Sequence, residues 1–216
     1  MRQLLLLLVL PVIGAAETFN FDSAQPGSLP PGWTVAMTHT GGAPKWEVLS
    51  DPTAPSKPNV LAQTSSDPTD GRFPLAILDK TNFQNGELSV RCKAVSGKGD
   101  QGAGLVWRYR DPNNYYIVRA NALENNVVLY KVEAGIRLSI APKGLPSRAY
   151  GVKHAIPRQR WNTLRVVFDE NLFTVFLNGE RLFEVEDQTF KDAGKVGLWT
   201  KADSLTYFAD FTFLKH

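Results

Sequence analysis

The chain has 216 residues, with 24 Lys and Arg against 21 Asp and Glu, a formal charge of +3 and 43% hydrophobic residues. Cations and anions interleave along its whole length, which excludes the clustered basic face that nucleic acid requires. No apolar run approaches the ~20 residues of a membrane-spanning helix, so neither nucleic acid nor a membrane is an expected partner.

The first element is a leader. Met1-Arg2-Gln3 carries one positive charge, Leu4 to Ile13 is apolar, and Gly14-Ala15-Ala16 supplies small residues before Glu17. This is the pattern of a secretory signal peptide over residues 1–16, with a mature single domain over 17–216 in an extracellular or periplasmic location. Arg2 is the leader's only charge, so its removal brings the balance to +2. Cys92 is the only cysteine, and no intramolecular disulfide can form. It lies in the alternating run Leu88 to Val95 and is expected on the inner side of a strand as a small buried hydrophobe.

Alternation of period two dominates the rest, and no segment carries a sustained 3.6 repeat, so the chain is predicted to be all-β. Strands are predicted over Thr18–Asp22, Trp33–His39, Lys45–Ser50, Val60–Thr64, Phe73–Asp79, Gly86–Val95, Ala103–Arg110, Tyr115–Asn121, Val127–Glu133, Ile136–Ala141, Trp161–Asp169, Leu172–Leu177, Arg181–Glu186, Lys195–Thr200 and Leu205–Leu214. Asn178-Gly179, Ala134-Gly135, Asn125-Asn126 and Asp111-Pro112-Asn113-Asn114 are turn sequences, because Gly and Asn tolerate the positive φ of tight hairpins. Gln25–Gly32, Asp51–Pro58 and Pro142–Ile156 read as long surface loops. Fifteen short strands require two sheets, as a sandwich or a barrel.

Several stretches resemble a group of secreted concanavalin A-like domains related to laminin-G-like, family 16 glycoside hydrolase and 3-keto-disaccharide hydrolase types. They are Phe83-Gln84-Asn85-Gly86-Glu87-Leu88, the run from Gly102 to Asp111, the run from Asn114 to Asn121, Trp161 to Val166, Val175-Phe176-Leu177-Asn178-Gly179, and Gly194-Lys195-Val196-Gly197-Leu198-Trp199. The resemblance covers most of the chain from residue 83 onward. It implies a two-sheet antiparallel jelly-roll sandwich with one convex and one concave sheet. It also implies a structural calcium near the termini, for which Asp22 and Asp210 are the hard-oxygen candidates; no cofactor is otherwise required.

The resemblance brings one catalytic expectation that the residues do not meet. Retaining family 16 enzymes carry Glu-x-Asp-x-Glu on one strand, where period two aims all three carboxylates at one sugar. Here the nearest run is Glu184-Val185-Glu186-Asp187 followed by Gln188, and the third carboxylate is missing. No residue is therefore assigned as catalytic. His39, His154 and His216 lack metal-pair spacing.

The hairpin from Val106 to Asn121 is the feature that suggests a binding face. Arg108 is expected to lie near Arg119 across one sheet face, with Asn121 and Tyr116 close by, while Trp199 and Lys201 end a later strand. Planar donors and aromatic rings suit a pyranose, one for hydroxyls and the other for its apolar face. Equally, the arginines can be paired with carboxylates of neighbouring strands, and Trp199 can be core. The leading expectation is a secreted carbohydrate-associated sandwich that binds an oligo- or polysaccharide without hydrolysis. A glycoside hydrolase of 3-keto-disaccharide hydrolase or laminarinase-like type is the first alternative, and a structural or adhesion module the second.

Overall fold

The structure, a computed structural model, describes residues 14–216, so most of the expected leader lies outside the described residues. Sixteen strands form among them: β1 Glu17–Phe19, β2 Trp33–Thr38, β3 Trp46–Ser50, β4 Asn59–Gln63, β5 Phe73–Phe83, β6 Gly86–Ser96, β7 Gly102–Asp111, β8 Asn114–Asn121, β9 Asn126–Glu133, β10 Ile136–Ser139, β11 Val152–Lys153, β12 Asn162–Asp169, β13 Leu172–Leu177, β14 Glu180–Glu186, β15 Gly194–Trp199 and β16 Leu205–Lys215. Each of the fifteen expected strands is present. The two-residue β11 falls inside what reads as the Pro142–Ile156 loop.

All pairings are antiparallel. Sheet 1 runs β14-β13-β12-β6-β16-β4-β3, with β1 also on β16; sheet 2 runs β10-β9-β8-β7-β15-β5-β2, with β11 on β9. The two-residue turns behave as their sequences demand. Asn178 and Gly179 have φ of 51° and 85°, and Ala134 and Gly135 have 48° and 82°, the mirror-image geometry whose twist matches a hairpin.

Alternation sends one set of side chains between the sheets. Leu88, Val90, Cys92, Leu164, Val166 and Phe208 of sheet 1 meet Leu105, Trp107, Tyr116, Val118, Leu129 and Leu198 of sheet 2. Each such side chain contributes about 1.5–3 kcal/mol on full burial. Cys92 is buried there as expected, and burial pushes its thiol up to about 12.

The opposite face of sheet 2 carries a second buried cluster, made of Phe73, Leu75, Ile77, Val106, Tyr115, Ile117, Val128, Tyr130, Val132 and Trp199. Glycines make it possible on β7. A Cβ on Gly102 or Gly104 would meet the Trp199 side chain at 3.2 Å, so their absence of side chains lets the indole lie across the strand. Sheet 2 is therefore packed on both faces, and its outer face is where polar groups from the surrounding loops converge.

Candidate functional site

The outer face of sheet 2 is built from strand positions two apart, joined by three loops. On β8, Tyr115, Ile117, Arg119 and Asn121 share that face; on β9, opposite them in register, stand Asn126, Val128 and Tyr130. The turn between the strands is shaped by Asn121, whose Oδ1 accepts the N–H groups of Leu123 (2.9 Å) and Glu124 (3.2 Å). That local closure aims Glu124 back over the sheet.

Arg119 is 1% exposed. Its guanidinium donates to Asn126 Oδ1 (2.8 Å), Glu124 Oε2 (2.9 Å) and the Tyr150 hydroxyl (3.0 Å), and it lies 5.7 Å from the centre of the Tyr130 ring. Its Nε has no partner. Burial favours the neutral guanidine, but Tyr130, Glu124 and Tyr150 outweigh that, and the charged form is held more firmly than usual. Tyr130 and Tyr150 share a hydroxyl contact of 2.5 Å with their rings edge to face. Tyr150 presents its ring to solvent, 48% exposed.

A second group adjoins the first. The Asp203 carboxylate, on the turn between β15 and β16, accepts the N–H groups of Lys98 (2.7 Å), Gly99 (3.0 Å) and Asp100 (2.9 Å) and so fixes the preceding loop. This places Asp100, 2% exposed, where its Oδ1 accepts from Asn121 Nδ2 at 3.0 Å and its Oδ2 lies 3.2 Å from the Lys201 ammonium. Lys201 also holds Asp70 at 2.5 Å. The same Asn121 Nδ2 donates to Glu124 Oε1 at 3.1 Å, so Asp100 and Glu124 present oxygens no more than 6.1 Å apart.

The two carboxyls sit in opposed environments. Burial pushes Asp100 above the ordinary carboxylate range in spite of Lys201 and Arg119. Burial also acts upward on Glu124, but Arg119 and Asn126 prevail and hold it below that range.

Arg137 of β10 closes the face. Its guanidinium lies 4.5 Å from the Phe73 ring, 4.6 Å from Tyr130 and 5.7 Å from Trp199, and its buried Nη1 has no partner. A cation over three rings gains from their quadrupoles.

The sequence-based assignments divide at this face. Arg119, Asn121, Trp199 and Lys201 come together on it. Arg108 does not: a bulge interrupts the pairing of β7 with β8 between Trp107 and Asp111, and Arg108 takes a φ of 48°. The expected juxtaposition of Arg108 and Arg119 is thereby corrected. Arg108 is turned away from Arg119, and its side chain donates to the carbonyls of Gln84 (3.0 Å), Phe190 (2.7 Å) and Glu170. Gly194 is what lets the bulge close, since a Cβ there would meet the Arg108 backbone at 2.5 Å.

Tyr116 is corrected too. It packs between the sheets against Trp107, Phe173 and Phe190, and its hydroxyl donates to Asp187 Oδ1 at 2.6 Å.

Each expected calcium ligand has one carboxylate oxygen engaged. Asp22 Oδ1 accepts the Asn59 N–H at 3.2 Å and Asp210 Oδ1 the Ser56 hydroxyl at 2.6 Å. Among the described residues no group of three or more His, Cys, Asp or Glu is arranged to hold a metal ion. Asp22 and Asp210 alone do not supply the about six to eight oxygens that calcium takes. Glu184 and Glu186 lie on β14 in sheet 1, paired with Arg181 and Lys143, well away from the assembled face.

Asp70, Asp100, Glu124, Asn126, Tyr130, Arg137 and Tyr150 were not identified from sequence. Hairpin register was the available signal for three of them: β9 pairs with β8 as Asn126 with Asn121 and Tyr130 with Ile117, and β10 puts Arg137 opposite Val132.

Residues 21–213 match the family described as the 3-keto-alpha-glucoside-1,2-lyase-like domain. A search of curated proteins finds no match. Among solved structures, the carbohydrate binding module CBM66 from Bacillus subtilis is similar at a TM-score of 0.63 and 19% identity, over 85% of this chain and 96% of that one. The cellulose induced protein Cip1 is similar at 0.61 and 10%, over 91% and 96%. Domain 4 of an extracellular GH43 arabinanase from Geobacillus stearothermophilus, in complex with arabinotriose, is similar at 0.56 and 14%, over 94% and 92%. At these identities the three share the sandwich fold with this chain, whereas the family match spans nearly all of the described sequence. The chain belongs to the 3-keto-alpha-glucoside-1,2-lyase-like domain family.

Proposed function

We propose that the protein is a secreted sandwich that binds a glycan on the outer face of sheet 2 and does not cleave it. The observation that carries this reading is Arg137: a guanidinium held over Phe73, Tyr130 and Trp199 with a buried Nη1 lacking a partner. Beside it, Arg119 Nε is also unspent and the Tyr150 ring is exposed. Unspent donors serve hydroxyls, and an exposed ring stacks on a sugar's apolar face. A carbohydrate binding module and a domain bound to arabinotriose among the similar structures support the same reading. Secretion is supported by the Met1–Ala16 leader pattern, and N-terminal sequencing of the exported protein checks it.

Calorimetry with a panel of plant and microbial oligosaccharides tests the binding. A panel member that binds, loses at least tenfold affinity in Arg137→Leu, and is recovered intact supports the reading. Absence of binding across the panel at millimolar ligand overturns it.

A second reading, catalysis, is favoured by one observation. Asp100 and Glu124 are within 6.1 Å through the shared Asn121 amide and have carboxyls shifted in opposite directions, the pattern of an acid and base pair. In that reading Glu124 accepts the proton next to a sugar ketone, and Asp100 protonates the departing oxygen as the carbon–oxygen bond breaks. Conversion of a 3-keto-glucoside by the parent and its loss in both Asp100→Asn and Glu124→Gln would replace the binding-only account with this one.

A further inference from the structure

At the other end of sheet 2 from the Asp100 cluster, a cleft of about 330 Å3 is lined by Gln84, Arg108, Glu170, Asn171, Gln188 and Lys191. Its floor is unusual in charge. Arg108 is 1% exposed, yet no carboxylate lies within ion-pair distance among the described residues; its three acceptors are all backbone carbonyls. A buried cation without a counter-ion is costly. Burial accordingly weakens its hold on the proton, with Tyr116 and the exposed Asp169 acting the other way.

Arg72 is the informative contrast. It too is buried and clamps loops, but it spends its donors on four acceptors, Gly42 O, Ala43 O, Ala202 O and Ser65 Oγ, and does not line this cleft. Arg108 commits three of the five N–H groups a guanidinium carries, which leaves two for a ligand. Lys191, exposed at the rim, has no ion-pair partner among the described residues.

We propose that this cleft is a second binding site, selective for a sugar that carries a single carboxylate. The carboxylate sits between Arg108 and Lys191, and the hydroxyls meet the side-chain amides of Asn171 and Gln188 and the Oε1 of Gln84, whose Nε2 already donates to the Lys191 carbonyl at 2.6 Å. Arg108 and Lys191 against Glu170 leave one net positive charge on the lining, matched to one negative charge. Glu170 accepts hydroxyl donors and disfavours a dianion such as sulfate. The inference is independent of glycan binding at Arg137, because the two sites share no residue.

The test is an amide-detected NMR titration of the full chain with sodium glucuronate, glucose and inorganic sulfate, each to about 50 mM, a range that captures millimolar affinity. The expected result is that glucuronate shifts the side-chain amides of Gln84, Asn171 and Gln188 and the backbone amide of Lys191. It should bind about tenfold more tightly than glucose or sulfate. Lys191→Gln changes an exposed side chain that has no ion-pair partner among the described residues and leaves the Lys191 carbonyl, which accepts from Gln84 Nε2 at 2.6 Å, in place; it should weaken glucuronate at least threefold. No shift at these amides, equal response to glucose, equal or stronger response to sulfate, an unchanged Lys191→Gln, or shifts confined to the outer face of sheet 2 would each overturn the proposal.

Discussion

Arg119 joins stability to the proposed site, and its replacement by methionine separates the two. Methionine retains an unbranched apolar stem, but the guanidinium that holds Asn126 at 2.8 Å, Glu124 at 2.9 Å and Tyr150 at 3.0 Å is lost. Removing one member of a fully buried ion pair costs about 3–5 kcal/mol. The Glu124 side chain is 39% exposed, so water recovers part of its hydration and the low end applies, about 3 kcal/mol. With a urea m-value of about 2 kcal/mol per M, the unfolding midpoint should fall by about 1.5 M. The assay is equilibrium urea unfolding followed by tryptophan fluorescence, with m compared between parent and variant. A fall of less than about 0.3 M at unchanged m would place Arg119 in the class of exposed surface pairs and refute its role as the keystone of the face.

Cys92 should resist a thiol reagent in the native protein and react once urea unfolds it, because burial raises its pKa to about 12 and only the thiolate attacks; rapid native labelling, read by mass, would contradict this. Asp203 is pushed up by burial but more strongly held down by the three backbone N–H groups it accepts. Its folded pKa is thus below the unfolded value, so its stabilisation is complete above about pH 4 and disappears as pH falls through the lowered value. The urea midpoint of the parent should therefore exceed that of Asp203→Asn near neutrality, with the gap narrowing in acid; a gap independent of pH would show that ionisation is not the cause. Arg108→Met should lower the thermal midpoint by several degrees, since a charged donor to three carbonyls is removed from a buried position. A calorimetric scan with an unchanged midpoint would argue against the clamp.

Strand positions were legible because each strand turns every second side chain into the core between the sheets, and this period of two makes fifteen segments stand out. The strand β11 did not, since two residues cannot display a period. The face of Arg108 was misread for a specific reason. Alternation assigns faces only while the pleat is unbroken, and the bulge at Arg108 resets the count between Trp107 and Asp111. Tyr116 has a different reason: unbroken alternation on β8 sets it with Val118 and Ala120 on the inner side, opposite in face to Arg119, where it meets Phe173 and Phe190 from distant segments.

The binding face was half visible. Arg119 and Asn121 stood out by alternation within one strand. Asp100, Glu124 and Tyr150 come from loops whose placement depends on Asp203, on the Asn121 turn and on the Arg119 contact. No local pattern encodes such convergence, because its partners are far apart in sequence, Asp100 and Asp203 by 103 residues.

The central claim is that glycan binds the outer face of sheet 2 around Arg137. Amide and aromatic NMR shifts recorded during titration with an oligosaccharide that binds in calorimetry test it most directly. The account predicts saturable shifts at Tyr130, Tyr150, Trp199 and the Arg119 and Arg137 side chains, with the sugar recovered unchanged. Saturable binding that leaves those signals in place, or appearance of a cleaved sugar during the titration, would contradict it.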